Sequence, residues 1–296
     1  MAGLALLLAT GGFVFLTLIV WQVMWTLRRP PRRTYSWAVS RGRPGDPREL
    51  ASALSYASWT FTSRGLSLPV WDVAGTAPAG PVVIVSHGWG DSRLGGLARL
   101  ESLTRGASRV ILWDLPGHGE APGRSSLGVG EVDDLLALIE QVDDAGPIVL
   151  YGWSLGAGMS IAAAAREPRV AGVIAEAPYR LAITPAWNVM RLNHLPHRVN
   201  LPIAMWLVGM RLGVGPGWRG FDRADHASKL ECPLLVVHGS DDEISPVEDG
   251  REIAAAAPRG EIVAVEGAGH NDLWSEEAFA SACDGAIQEF LVRLTA

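Results

Sequence analysis

Short runs of Val, Ile and Leu recur along this chain with helical stretches between them, and that alternation limits the folds open to it. Residues 70–73, 82–86, 110–113, 148–151, 170–175, 234–237 and 262–265 read as strands. Several are continuously apolar rather than alternating, which marks strands buried on both faces of a parallel sheet. Residues 94–104, 130–142, 155–166, 246–257 and 276–294 read as the intervening helices. Strand and helix in turn predict an α/β fold, a mainly parallel, doubly wound sheet with helices on both faces. Residues 179–222 break the rhythm. They carry Trp187, Trp206, Trp218 and several Met and Leu, and are too long for a simple crossover. A helical insertion is expected there, over the carboxyl edge of the sheet where open α/β folds bind ligands.

The first 27 residues stand apart from this pattern, because they hold no charged side chain. Residues 4–27 are mostly Leu, Val, Phe, Ile, Ala and Trp, and about 20 such residues suffice for a bilayer-crossing helix. Arg28, Arg29, Arg32 and Arg33 follow, with Pro30 and Pro31 to end the helix. A cleaved signal peptide would place its positive charge before a shorter apolar run and a small-residue cleavage site after it. The charge here lies on the other side, and Trp21 and Trp25 suit an interfacial belt, so a retained single-pass anchor is predicted. Arginines after the span predict that the larger, C-terminal part stays in the cytoplasm. Lysine occurs once, at Lys229, among the 25 Lys and Arg residues, a bias of GC-rich bacterial genomes, which makes the expected membrane a bacterial inner membrane.

Net charge is −6, and with the four arginines of residues 28–33 set aside the rest is more acidic still. An acidic domain has no basic face for nucleic acid. The arginine cluster alone is a candidate for anionic lipid headgroups. Cys232 and Cys283 form neither a metal spacing nor a disulfide framework, and both lie in apolar segments where burial is expected. His194 and His197 are three residues apart, but Pro196 between them disfavours a helix and no third ligand is evident, so no metal is expected. Nothing in the pattern implies a cofactor.

The chemistry concentrates around Gly152-Trp153-Ser154-Leu155-Gly156, which lies between a predicted strand and a predicted helix. Glycines two residues either side of a serine make room for a strained nucleophile turn. A Gly-rich turn whose serine caps the next helix would look the same locally. A serine hydroxyl needs a base to take its proton and an acid to orient that base. Downstream, the strand at 234–237 runs into His238-Gly239-Ser240-Asp241-Asp242, and the strand at 262–265 into Gly267-Ala268-Gly269-His270. A carboxylate and a histidine are thus expected in two loops that open on the same crevice as Ser154.

From about residue 66 to 294 the chain resembles the α/β-hydrolases, in particular their lysophospholipase-like and serine-aminopeptidase-like branches. The resemblance rests on His87-Gly88-Trp89-Gly90, Asp114-Leu115-Pro116-Gly117-His118-Gly119, the Ser154 pentapeptide, His238-Gly239-Ser240-Asp241-Asp242 with Pro246, and Gly269-His270. It implies an α/β-hydrolase fold with a helical lid at 179–222, as a domain of residues 34–296 behind an anchor and basic linker of residues 1–33. It also implies Ser154 as nucleophile, His270 as general base and Asp242 as the acid, chosen over Asp241 by its place four residues after His238 and four before Pro246. The N–H groups of Trp89 and Leu155 carry over as the oxyanion hole, and His87 as a residue that shapes its loop. Glu176, directly after the predicted strand at 170–175, is an alternative acid.

These features together predict a membrane-anchored serine hydrolase that cleaves a small or lipid-like acyl ester through an acyl-enzyme. The anchor near lipid and the Trp, Met and Leu of the insertion favour an apolar acyl group, although the same residues could pack the lid onto the core. Peptidase, amidase and thioesterase activities occur on the same fold, as does the alternative of an inactive membrane-bound binding protein. No carboxylate-rich subsite for a substrate amine stands out, and no member of the expected triad is missing.

Overall fold

The computed structural model describes residues 1–142 and 146–295. In chain order the elements are α1 (Ala2–Arg28), α2 (Tyr35–Val39), β1 (Tyr56–Ser63), β2 (Leu66–Ala74), β3 (Val82–Ser86), α3 (Leu97–Gly106), β4 (Arg109–Trp113), α4 (Glu131–Gln141), β5 (Ile148–Trp153), α5 (Leu155–Ala164) and β6 (Val170–Glu176). Then follow α6 (Ile183–Leu192), α7 (Asn200–Arg211), α8 (Arg223–Ala227), β7 (Leu234–Gly239), α9 (Val247–Ala256), β8 (Gly260–Val265) and α10 (Glu277–Thr295).

The eight strands form one sheet in the order β1-β2-β4-β3-β5-β6-β7-β8. Strands β3 to β8 run parallel, while β1 and β2 form an antiparallel edge. The order departs from sequence between β3 and β4, so the loops after β3 and β5 face each other at a switch point of the sheet. Successive residues divide between two cores. Val82 and Ile84 enter one with α4, α5, α7 and α9, whereas Val83 and Val85 enter the other with α3 and α10. That division is why these strands read as unbroken apolar runs.

Strand β1 escapes the sequence reading, and β2 begins earlier than expected. The two are joined by Arg64 at φ 47° and Gly65 at φ 74°, with Ser63 opposite Leu66. Positive φ at both positions gives the turn that matches strand twist, normally signalled by Asn-Gly or Asp-Gly. Arg64 tolerates it because its guanidinium is held by the buried carboxylate of Asp134.

The insertion after β6 is helical, comprising α6, α7 and a short turn at Arg219–Phe221. Asn188 of α6 donates to the Ile244 carbonyl at 3.0 Å, which rests the insertion on the loop after β7. Arg180 fastens its base, pairing with Asp222 and Glu252. Helix α1 is predominantly apolar, with no charged side chain before Arg28, and only Val20 on it is buried. Its C-terminal half packs along α7, with Val23, Met24 and Leu27 against the core.

Candidate active site

Ser154 sits between the last residue of β5 and the first of α5, with φ 54° and ψ −111°. A non-glycine residue held there stores strain of about 1–3 kcal/mol, and such strain clusters at functional sites. Its N–H donates to the Glu176 carbonyl at 2.8 Å, which continues the β5–β6 ladder into the turn. Glycine is required on both sides. A Cβ at Gly152 would lie 2.3 Å from the Gly156 backbone, and one at Gly156 would lie 2.0 Å from the Ser86 carbonyl oxygen. The hydroxyl is thereby presented at the N-terminus of α5, where amides lack intrahelical acceptors and the helix dipole favours negative charge.

The loops after β7 and β8 bring the other two groups to it. His270 Nε2 is 3.1 Å from Ser154 Oγ, and its Nδ1 is 2.6 Å from Asp242 Oδ2. With Nδ1–H donating to the carboxylate, Nε2 is left as the acceptor for the serine hydroxyl. Asp242 is fixed in turn. Its Oδ1 accepts from the N–H groups of Ile244 and Ser245 at 2.9 and 2.7 Å. Burial by itself would raise this carboxyl. Hydrogen bonds from His238, His270 and the Ser245 amide outweigh burial and hold it down at about 2. Asp241 is exposed and accepts from the Ser240 hydroxyl instead.

A sequence model of the Alpha/beta hydrolase family matches residues 82–282, a stretch that holds Ser154, Asp242 and His270. The chain belongs to the alpha/beta hydrolase family. An uncharacterized protein of Mycobacterium tuberculosis is 29% identical over 218 residues, covering 71% of this chain and 70% of that one. A pimeloyl-(acyl-carrier protein) methyl ester esterase of Chromobacterium violaceum is 25% identical over 244 residues, covering 68% of this chain and 92% of its own length. Among solved structures, an esterase of Pyrococcus furiosus superposes with a TM-score of 0.71 at 21% identity, over 91% of this chain and 99% of that one.

In this hydrolase the loop after β3 approaches the serine from the other side. A Cβ on Gly88 would meet Ser154 Cβ at 3.4 Å, so the chain passes close to the hydroxyl just before Trp89. His87 is buried, and burial pushes its imidazole down to about 3, so it stays neutral. Its Nε2 accepts from the Leu115 N–H at 3.0 Å while Nδ1–H reaches the Gly88 carbonyl at 2.8 Å. Both ring nitrogens are therefore spent on shaping the two loops. Asp114 braces the same region by accepting from the N–H groups of Arg93 and Glu120.

His270 takes Asp242 as its carboxylate partner, and Glu176 is engaged elsewhere. Its carboxylate is buried, with Arg99, Tyr151 and the Trp274 indole bound to it. Burial alone would raise its pKa, but Arg99 and these hydrogen bonds lower it, so it is an ionised strut beneath the Ser154 turn. Its side-chain partners lie on α3, on β5 and in the loop after β8, and no local motif marks them. His197 Nδ1 contacts the Leu195 carbonyl and its ring packs edge-on against Trp187, while His194 is exposed. Among the described residues no group of His, Cys, Asp and Glu could hold a metal ion. Both cysteines are buried and free, and burial raises their thiols to about 11 and about 12.

Three of the four arginines of residues 28–33, a candidate cluster for lipid headgroups, also hold the linker against the hydrolase domain. Arg33 pairs with Asp91 at 3.2 Å, Arg32 donates to the Gly119 carbonyl, and Arg28 donates to Ser125. The Trp89 indole N–H donates to the Leu27 carbonyl at 2.9 Å. The end of α1 is therefore attached to the loop that passes over Ser154. Side chains of opposite charge or complementary shape a hundred residues apart leave no trace in local sequence.

Proposed function

We propose that this alpha/beta hydrolase is a serine hydrolase of carboxylic esters, lysophospholipase-like in taking an apolar acyl group, and tethered to a membrane by residues 4–27. Ser154 Oγ attacks the acyl carbon while His270 Nε2 takes its proton. Asp242 holds the Nδ1–H tautomer and stabilises the imidazolium that forms. The N–H groups of Trp89 and Leu155 receive the negative charge on the tetrahedral oxygen, in a site organised before the reaction begins. The imidazolium then protonates the leaving alcohol as the C–O bond breaks. Water, activated by the same histidine, attacks the acyl-enzyme and releases the acid.

The observation that carries this reading is the continuous Ser154–His270–Asp242 chain of hydrogen bonds, at 3.1 and 2.6 Å, beginning at a backbone-strained serine. An ester substrate is favoured by the methyl ester esterase among the relatives. An apolar acyl group is favoured by the apolar insertion and by α1, which is long and apolar enough to cross a bilayer. In this reading residues 1–33 are anchor and linker, residues 34–296 the hydrolase domain, and residues 179–222 its lid. The arginines after the span keep that domain cytoplasmic. The test is turnover of the full chain on p-nitrophenyl esters of increasing acyl length, beside thioesters and aminoacyl amides. Ester hydrolysis that rises with chain length supports the proposal, and amide or thioester turnover above ester turnover contradicts it.

A further inference from the structure

Helix α7 is apolar on two faces. Leu201, Ala204, Met205 and Val208 are buried in the core. Ile203, Trp206, Leu207 and Met210 project outward, with Trp206 49% and Met210 54% exposed. Val199, one turn before Ile203, is 59% exposed and extends the stripe. A helix apolar all round belongs in a protein core or in lipid, and α7 is only half in a core. Outward apolar side chains in such a row mark a contact surface rather than scattered exposure.

What covers that stripe is indicated by its neighbours. Helix α7 packs along α1, the one described helix able to span a bilayer. Leu16, Ile19, Leu195, Pro196 and Val199 line an apolar recess of about 460 Å3 between α1 and the turn before α7, which lies away from Ser154. At the other end of the pair, positive charge accumulates. Arg28 lies within the field of Arg124 and Arg211, and Arg29 within that of Arg124. The Arg29 guanidinium stacks 3.5 Å from the Trp25 ring centre and Arg124 lies 5.8 Å from it. Among the described residues no carboxylate forms a salt bridge with Arg29, Arg124 or Arg211. An apolar strip ending in uncompensated arginines and a tryptophan has the profile of one leaflet from acyl chains to anionic headgroups.

We infer that lid helix α7 and the turn before it are seated in the same lipid leaflet as α1, with Arg29, Arg124 and Arg211 at the level of anionic headgroups. Helix α1 is about 40 Å long at 1.5 Å per residue, more than the roughly 30 Å of hydrocarbon it must cross. Tilt takes up the excess. With α7 along the cytoplasmic flank of a tilted α1, the stripe enters the leaflet. The inference rests on the membrane-tethered reading proposed above and deepens it. The acyl group then reaches the lid from within the bilayer, and the hydrolase domain stands on the membrane rather than hanging from a flexible tether.

Electron paramagnetic resonance of the full chain, in vesicles of phosphatidylcholine and phosphatidylglycerol, tests this. Nitroxides are placed singly by Trp206→Cys and Met210→Cys, with Phe13→Cys on α1 and Arg251→Cys on the exposed face of α9 as references. Retained turnover of a soluble short-chain ester verifies that each labelled protein is folded. Collisions with oxygen should exceed those with an aqueous nickel chelate by several fold at residues 13, 206 and 210, with the reverse at 251. If 13 is lipid-exposed while 206 and 210 match 251, the anchor stands and the inference falls. If 13 also matches 251, the membrane reading falls with it, whatever the fate of the hydrolase chemistry. Equal contrast at residue 210 with and without phosphatidylglycerol would remove the arginines from the proposal.

Discussion

Ser154, Asp242 and His270 stand at the ends of β5, β7 and β8, and each is fixed by a few neighbouring residues. Helices α1, α6 and α7 are held differently, through contacts that cross most of the chain. The Trp89 indole meets Leu27 across 62 residues of sequence, and Arg28 meets Ser125 across 97. The triad groups at the strand ends are buried or part-buried, polar and hydrogen-bonded to one another. The helical layer is apolar, partly exposed and tied down by a few ion pairs at its base. Chemistry needs atoms held to fractions of an ångström, and rigid strands and short loops supply that. Contact with an apolar substrate or a lipid surface needs area more than precision, and a helical insertion supplies it.

If the strand ends carry the chemistry, the largest effect lies there. Ser154→Ala should lower turnover by about 10⁴- to 10⁶-fold while leaving the thermal melt unchanged, since a single hydroxyl is removed. Turnover within tenfold of the wild type would place the nucleophile elsewhere. Next in size is Asp242→Asn, expected to cost about 10⁴-fold by leaving His270 in the wrong tautomer. Asp241→Asn should change turnover by less than about twofold, and reversed losses would overturn the assignment of the acid. The same residue has a pH signature. Folding depresses its carboxyl from 3.8 to about 2, so it stabilises the fold fully above pH 3.8 and loses that contribution as pH falls through 2. Acid melts of Asp242→Asn should therefore decline less between those values than melts of the wild type.

Glu176→Gln distinguishes support from chemistry. It leaves Arg99 buried without its counter-charge, which costs about 3–5 kcal/mol in comparable cases. A clear drop in melting temperature is expected, with turnover reduced far less than in Ser154→Ala once the protein is folded. Unchanged stability would mean the buried pair is dispensable. The smallest effect belongs to the helical layer. Trp89→Phe removes the indole donor to Leu27 but keeps the backbone N–H and the ring. It should cost roughly 1 kcal/mol of stability and leave hydrolysis of a soluble ester within a few fold. A loss approaching that of Asp242→Asn would mean that α1 governs the chemistry directly, and the contrast between the two regions would fail.

The same contrast decides what could be read in the sequence. The parallel strands are legible because burial on both faces forces runs such as Val82–Ser86, and the elbow is legible because Gly152 and Gly156 cannot carry a Cβ. Asp242, three residues after Gly239, and His270, next to Gly269, lie in loops that directly follow such runs. By contrast, the β1–β2 hairpin turns on Arg64-Gly65, which departs from the usual turn residues because Asp134, 70 residues away, holds the arginine. Glu176 reads as a spare catalytic acid until Arg99, Tyr151 and Trp274 are brought to it from α3, β5 and the loop after β8. Arg33 and Arg32, in a cluster that reads only as a candidate for headgroups, find Asp91 and Gly119 once the sheet has formed. Pairings of this kind are properties of the fold and have no local pattern.

The central claim is that Ser154 is activated by His270 and Asp242, and one measurement addresses it directly. The full chain is treated with a fluorophosphonate, which reacts with activated serines, then digested and mapped by mass spectrometry. The account predicts a single adduct on the peptide containing Ser154, formed rapidly in the wild type and slowed by orders of magnitude in His270→Ala. An adduct on another serine, or none while ester hydrolysis continues, would contradict it.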